Sequence, residues 1–198
     1  MGIAGGSCSG KTTLVRQLLE VIGAERIEVV NHDAYYRHRP ELTLEERHQV
    51  NYDHPDSLET ELAICHLRQL CSGELVPLPI YDFNTHLRSK EVRWANPAPV
   101  LVIEGILVLH ESELRAFMDL KVFVEADPDV RTLRRIVRDQ RERGRTVESV
   151  REQFLKSVKP MHDRYVVPSR IHADLIVSNN RPNPEAVRTL EARLRDAL

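Results

Sequence analysis

Gly5-Gly6-Ser7-Cys8-Ser9-Gly10-Lys11-Thr12 is the stretch whose reading decides the fold. It fits G-x-x-x-x-G-K-[ST], the Walker A phosphate loop, and each fixed position has a chemical reason. The glycines let backbone N–H groups turn inward and cradle phosphate oxygens. Lys11 reaches the β- and γ-phosphates, and the Thr12 hydroxyl is placed to hold Mg²⁺. Apolar Ile3-Ala4 before the loop, and Leu14, Leu18 and Leu19 after it at helical spacing, supply the strand–loop–helix context the motif requires. The helix expected from Gly10 to Val21 turns its positive end toward the same anion. A Gly/Ser-rich turn before an unrelated helix is the plainer alternative, and the flanking pattern disfavours it. Gly5 to Thr13 is therefore expected to bind a nucleoside triphosphate.

Outward from the loop, strands alternate with helices. Met1–Ala4 reads as a first strand, short beside the usual ~5–6 residues, so either it is unusually brief or the natural start lies upstream. Glu25–Val30 reads as a second strand running into polar Asn31-His32-Asp33-Ala34-Tyr35-Tyr36. Thr43–Gln49 reads as a short helix, with Thr43 as cap and Glu46 three residues later. Asn51-Tyr52-Asp53-His54-Pro55-Asp56 is a loop before a helix over Ser57–Cys71. Val76–Ile80 carries Pro77 and Pro79 in alternation, which confines it to an edge or hairpin; Glu91–Trp94 is the expected partner, flanking Tyr81-Asp82-Phe83-Asn84-Thr85-His86. Pro99–Ile103, Lys121–Val124 and Asp174–Val177 are apolar enough for buried parallel strands. Pro128–Arg143, Val147–Arg164 (interrupted at Pro160) and Pro184–Ala197 read as helices. This order implies an α/β three-layer sandwich of the P-loop NTPase type around a five-stranded parallel sheet. Residues 1–198 form one unit on this reading, with 76–94 as a β-hairpin insertion and about 128–164 as an arginine-rich helical lid.

Bulk properties exclude several classes. A length of 198 residues with 41% hydrophobic content suits one α/β domain with a real core. A net charge of −2 gives the chain no overall bias toward nucleic acid or membrane. No apolar run approaches the ~20 residues that cross a bilayer, and the phosphate loop stands where a signal peptide would be. Cys8, Cys65 and Cys71 are odd in number and lack paired spacing, which argues against a disulfide framework and zinc. A reduced, cytoplasmic setting is the expectation.

Chemistry-bearing residues fall at the expected strand ends. Glu104 closes the buried strand Val100-Leu101-Val102-Ile103, where a phosphate-loop protein places an acid for Mg²⁺ or its waters; the alternative is a solvated strand-end carboxylate. Asp33 follows the second strand. It either takes the proton of a hydroxyl acceptor or closes an Asx turn that caps the next segment. Of ten Phe, Trp and Tyr residues, Tyr35, Tyr36, Tyr52, Tyr81 and Phe83 lie in polar loop segments beside Asp or His. That pattern suits a planar heterocycle, which needs a stacking face and edge contacts. Asp53 could grip ribose hydroxyls and His86 a base edge, although a lone histidine is more often structural. Arginines at 131, 134, 135, 138, 141, 143 and 145 form the densest charge cluster. They fit a solvated face paired with Asp139 and Glu142, a nucleic-acid stripe, or a lid over transferring phosphate; the triphosphate loop favours the lid.

Taken in order, these segments resemble the uridine kinase (uridine/cytidine kinase) family over nearly the whole chain. The matches are Gly5–Thr13, Asp33–Tyr36, Asn51–Asp56, Tyr81–Phe83 with Thr85-His86, Glu104–Leu107, Arg141–Arg145, Val158-Lys159-Pro160-Met161-His162 and Ala173-Asp174. The resemblance implies transfer of the ATP or GTP γ-phosphoryl group to the 5′-hydroxyl of uridine or cytidine. It implies Asp33 as base, with Lys11, Arg135 and Arg138 as catalytic cations. Tyr36, Asp53, Tyr81, Phe83, His86, Arg135 and Gln153 would surround the nucleoside. Thr12, Glu104 and Asp33 would hold Mg²⁺, and Arg138 and Arg145 would contact donor phosphates beside the loop. It also implies a homotetramer, without nucleic-acid or membrane partners. Cys8 departs from the family's usual Gly or Ala, Ala34 and Leu87 from frequent Ser, and Ser178-Asn179-Asn180 from a Pro-Arg-Gly-like turn. The rival readings are a related kinase of ribulose 5-phosphate or pantothenate, and a nucleotide-dependent RNA-binding switch. A sugar phosphate would call for basic residues in the acceptor pocket, whereas the acceptor segments are aromatic and acidic.

Overall fold

The computed structural model describes residues 1–195. Its centre is a parallel sheet of β1 (Gly2–Ala4), β2 (Ile27–Asn31), β5 (Val100–Glu104), β6 (Lys121–Glu125) and β7 (Leu175–Ser178), in the order β2-β5-β1-β6-β7. The first strand is as short as its sequence suggests. It holds the middle position because it pairs on both sides, Ile3 with Glu104 and with Val122.

Period-two alternation sends side chains of each strand to opposite faces. Ile3, Val100, Val102, Val122 and Val124 pack beneath α1 (Lys11–Ile22) and α9 (Pro184–Arg195), with Leu14, Leu18 and Leu190. Ala4, Ile103 and Phe123 pack on the other face with Leu67 and Leu70 of α3 (Thr60–Cys71). Each fully buried Leu or Ile contributes roughly 1.5–3 kcal/mol to holding the layers. The sheet is therefore covered on both faces, and its carboxyl edge, where open α/β sheets present their ligands, is left uncovered.

Local expectations are met with small shifts. Thr43 and Glu46 form a reciprocal capping box on α2 (Leu44–Gln49): Glu46 N–H donates to Thr43 Oγ1 (3.3 Å) and Thr43 N–H to Glu46 Oε2 (2.7 Å). The helix expected from Ser57 starts at Thr60, because a 3₁₀ turn over Pro55–Ser57 comes first. The proline-bearing strand pairs in an antiparallel two-stranded ribbon, β3 (Val76–Asp82) with β4 (Leu87–Ala95), so its partner is longer than Glu91–Trp94. A four-residue helix, α4 (Ser112–Arg115), was not anticipated.

α5 (Pro128–Arg143) matches its expected bounds. Pro160 does not interrupt the next helix. α6 (Val147–Gln153), α7 (Lys159–Met161) and α8 (Val167–Ser169) join through π turns at Phe154–Val158 and His162–Val166. A wider turn before each proline accommodates its ring and missing N–H without breaking the run. The last expected helix ends at Arg195, and its expected final residues, 196 and 197, lie outside the described residues. Cys8, Cys65 and Cys71 are free thiols. Among the described residues no helix is long and apolar enough to cross a membrane.

Candidate active site

Sheet register assembles the first part of the site. Asn31 pairs with Glu104, which also pairs with Ile3, so the ends of β2, β5 and β1 stand side by side. From them come the turn carrying Asp33, the Glu104 carboxylate and the phosphate loop. Thr12 Oγ1 donates to Glu104 Oε1 at 2.9 Å, and Lys11 Nζ donates to the carbonyls of Gly5 (3.0 Å) and Gly6 (3.1 Å). Burial lowers the Lys11 pKa, opposed by Glu104 and Asp33. Burial raises that of Glu104, opposed by Lys11 and the Thr12 hydrogen bond.

The two readings of Asp33 are separated by its neighbour. Asn31 Oδ1 accepts from the Asp33 N–H (2.9 Å) and makes the cap, which leaves the Asp33 carboxylate free of that task. Asp33 Oδ1 is buried and has no hydrogen-bond partner. Burial raises its pKa, with Lys11, Arg143 and Arg138 pulling the other way. Asp33 lines both the groove beside the phosphate loop and a narrower cleft next to it.

The groove, about 660 Å³, is floored by Ser7, Cys8, Gly10, Lys11, Thr12 and Thr13 and walled by Glu104, Arg138 and Asn179. Gly5, Gly6 and fully buried Ser9 shape the loop without lining the groove. Three loop positions adopt positive-φ backbone that L side chains avoid: Gly5 at φ 141°, Cys8 at φ 60° and Gly10 at φ 99°. At Gly10 a Cβ would also lie 1.8 Å from Asn179 Nδ2. That amide donates to Ser9 O at 2.8 Å, while the Asn179 N–H donates to Glu125 O at 2.8 Å. The departure at Ser178-Asn179-Asn180 is thus a brace between the loop and β6. Behind the loop, Arg131 donates to Ala126 O (3.2 Å) and meets His162 Nε2 at 3.0 Å. The pair fills the place of a side chain at Gly6, which gives the Lys159–His162 stretch a packing role.

The cleft gathers Tyr36, Tyr52, Asp53, Tyr81, Phe83 and His86. Tyr52 and His86 stack at 4.6 Å and 11°, and Tyr81 stands edge-on to Phe83 at 5.1 Å. Tyr81 Oη lies 3.3 Å from His86 Nδ1. Burial pushes the His86 pKa down to about 4, with His48 and nearby arginines adding to it, so the ring is neutral near pH 7. Asp53 is pushed up by burial against the pull of Arg135. Tyr35 does not join this group. It is fully buried, with its hydroxyl 3.0 Å from His66 Nδ1, and serves the core instead.

The arginine cluster departs most from expectation. Asp139 is no solvated partner: it is 0% exposed. Around it stand Arg138 Nη2 (2.7 Å), Arg135 Nε (3.5 Å), Arg143 Nη1 (3.8 Å) and Arg145 Nη1 (3.8 Å). All four of these arginines line the cleft. The acceptor side is therefore basic as well as aromatic and acidic, because the lid supplies charges its own segments lack. Arg145, expected at the donor phosphates, faces the cleft and not the loop groove. Arg135 donates to Ser7 Oγ (3.0 Å) and Gln153 Oε1 (2.8 Å), and Gln153 also accepts from Arg145. Arg131 and Arg135 are buried, so these two present little charge to solvent. Sequence reasoning names Arg143, whose guanidinium sits 4.4 Å over the Phe83 ring, with Asp139 and Asn179, but assigns none of the three to the site. The signal for Asp139 was its spacing, four residues from both Arg135 and Arg143.

The sequence model of the Phosphoribulokinase / Uridine kinase family matches residues 1–184. A uridine kinase of Chloroflexus aurantiacus is 46% identical over 198 residues, spanning 100% of this chain and 95% of the relative. One of Halalkalibacterium halodurans is 43% identical over 195 residues, 98% of this chain and 92% of the relative. The solved phosphoribulokinase of Rhodobacter spheroides superposes with a TM-score of 0.64 at 19% identity, covering 89% of this chain and 68% of that one, and shares the fold.

Proposed function

This chain belongs to the phosphoribulokinase / uridine kinase family, and on that premise we propose how its two adjoining cavities divide the work. The chain is an ATP-dependent pyrimidine nucleoside kinase. In our reading the loop groove takes the triphosphate and the aromatic cleft takes the nucleoside, with the 5′-hydroxyl between them. The observation that carries this is Asp33, whose carboxylate faces both cavities with one oxygen unpartnered.

The 5′-oxygen attacks the γ-phosphorus in line, the bond from that phosphorus to the β,γ-bridging oxygen breaks, ADP leaves, and the hydroxyl proton passes to Asp33. Lys11, Arg135 and Arg138 neutralise charge on the transferring group. Asp53 takes ribose hydroxyls, with Gln153 and Arg135 beside it. Tyr36, Tyr81, Phe83 and His86 enclose the base, and the neutral imidazole can offer an N–H to a carbonyl or accept from an amine, which suits both uracil and cytosine. GTP as an alternative donor belongs to this same reading.

Mg²⁺ fits the donor set: the Thr12 hydroxyl, the Glu104 carboxylate and the unpartnered Asp33 oxygen all border one groove and are all hard oxygen ligands. Among the described residues no group of three or more His, Cys, Asp or Glu could hold a metal. When bound, Mg²⁺ would supply charge neutralisation at the β- and γ-phosphates. A cytoplasmic homotetramer completes the proposal; light scattering on the purified protein tests the assembly. Incubation with ATP, Mg²⁺ and separate uridine, cytidine, adenosine, ribulose 5-phosphate and pantothenate tests the reaction. UMP and CMP formation is expected, and preference for any other acceptor refutes the assignment of the cleft.

A further inference from the structure

We propose that Asp139 is a positioning residue that sets the cleft's preference for an uncharged nucleoside over a phosphorylated ligand such as the nucleoside 5′-monophosphate. The inference rests on the cleft being the nucleoside site.

Charge in the cleft is unequal. Arg135, Arg138, Arg143 and Arg145 line it, opposed on the wall, among the described residues, only by Asp33 and Asp53. A nucleoside brings no charge to such a surface, whereas a 5′-phosphate brings about two negative charges. Left unopposed, the four guanidiniums would favour the phosphorylated ligand. Asp139 does not line the cleft; it lies behind the arginines and reaches a ligand only through them.

Local structure places it there. Arg135, Asp139 and Arg143 follow at helical spacing on α5. Gly144, at φ 60°, then ends the helix, and the N–H groups of Gly144 and Arg145 both donate to the Asp139 carbonyl. This turn swings Arg145 back toward the same carboxylate that Arg143 already faces. Asp139 Oδ1 accepts from Arg138 Nε (2.9 Å) and Nη2 (2.7 Å), but Oδ2 holds no hydrogen bond. Arg135 Nε is likewise without a partner. Arg135 and Arg145 are thus held to Asp139 by charge and not by hydrogen bonds; the hydrogen bonds they do make go to the neutral Ser7 Oγ and Gln153 Oε1. Gln153 Oε1 orients those two side chains. Being neutral, it directs them without offsetting their charge. Among the described residues, Asp139 alone supplies negative charge behind the fork.

Asp139→Asn keeps the shape and removes the charge. Calorimetric titration of uridine and, separately, UMP into the protein without ATP reads the ratio Kd(uridine)/Kd(UMP). We expect that ratio to rise at least about fivefold in Asp139→Asn, as the freed arginines pair with phosphate. Arg143→Gln should lower it, and the double variant, whose charge balance is restored, should return toward wild type. A role confined to stability weakens both ligands in proportion and leaves the ratio unchanged, which overturns the proposal. If Asp139→Asn alone does not fold, the same fivefold rise is read between Arg143→Gln and the double variant, and its absence is equally fatal. Wild-type protein that binds no uridine sinks the nucleoside reading itself; wild-type binding with an insensitive ratio sinks only this inference.

Discussion

The donor groove and the acceptor cleft share Ser7, Asp33, Phe83, Ile106, Arg138 and Arg143 as a common wall, yet they are built by different means. The groove is floored by the backbone of the phosphate loop. Its shape follows from one loop whose left-handed positions are fixed by local sterics, braced by Asn179 and backed by Arg131. The cleft is mainly side chain, drawn from the turn after β2, the loop before α3, the β3–β4 ribbon, α5 with the turn that follows it, and the end of α6. A site made of backbone tolerates change in its surroundings. One made of converging side chains depends on whatever holds them in place.

Asp33 is where the comparison can be broken outright. Asp33→Asn is expected to lower kcat by roughly 10²–10⁴-fold while ATP still binds, because the loop itself is untouched. Near-normal turnover measured by a coupled ADP assay would remove Asp33 from the reaction. The same group sharpens the point through pH. Burial raises its pKa, so Asp33 is protonated, and inactive as a base, up to a higher pH than an exposed carboxylate. The acid limb of kcat/KM should therefore lie above the ordinary carboxylate range, with activity falling about tenfold per pH unit below it. That limb should vanish from the residual activity of Asp33→Asn; a limb unchanged in the variant assigns it to another group.

This contrast also accounts for what the sequence revealed. The phosphate loop, Glu104 and Asp33 were legible because each sits at the end of a strand whose apolar run is local and unambiguous. The aromatic members of the cleft were legible as a set, since polar segments rarely carry so many rings. Tyr35 escaped that logic: one residue from Tyr36, it turns to the opposite side and into the core, and adjacency in a 3₁₀ turn does not say which. The lid is the reading the sequence favours for the arginines, but the enclosure of Asp139 within it is hidden for a related reason. A run of charges on a helix usually faces water, and only the fold of the following turn at Gly144 shows Asp139 enclosed. Continuity through Pro160 was hidden because the π turns that absorb it have no marker of their own in sequence.

Smaller effects separate the two cavities. Tyr81→Phe removes the hydroxyl that meets His86 Nδ1. A neutral hydrogen bond contributes about 0.5–1.5 kcal/mol, so the nucleoside KM should rise roughly two- to tenfold with the ATP KM unchanged. Asn179→Ala should do the reverse, weakening ATP by a similar factor through the lost brace on Ser9 O and leaving uridine unaffected. If either variant shifts both constants equally, the cavities are not independent and the division of labour between them fails.

The smallest expected effect lies in the loop itself. Cys8 holds φ at 60°, where a side chain costs roughly 1–2 kcal/mol relative to glycine. Glycine loses more backbone entropy on folding, roughly 0.5–1 kcal/mol, so Cys8→Gly should gain stability by about 0.5–1 kcal/mol. For a chain of this length that is a rise in Tm of about 1–4 °C, read by calorimetry without ligand. The ATP KM should stay within about twofold, because the loop already adopts the conformation that glycine prefers. A fall in Tm would mean that contacts of the half-buried thiol outweigh the backbone strain. In that case even the donor groove would depend on a side chain to keep its shape, and the distinction between the two cavities would become one of degree.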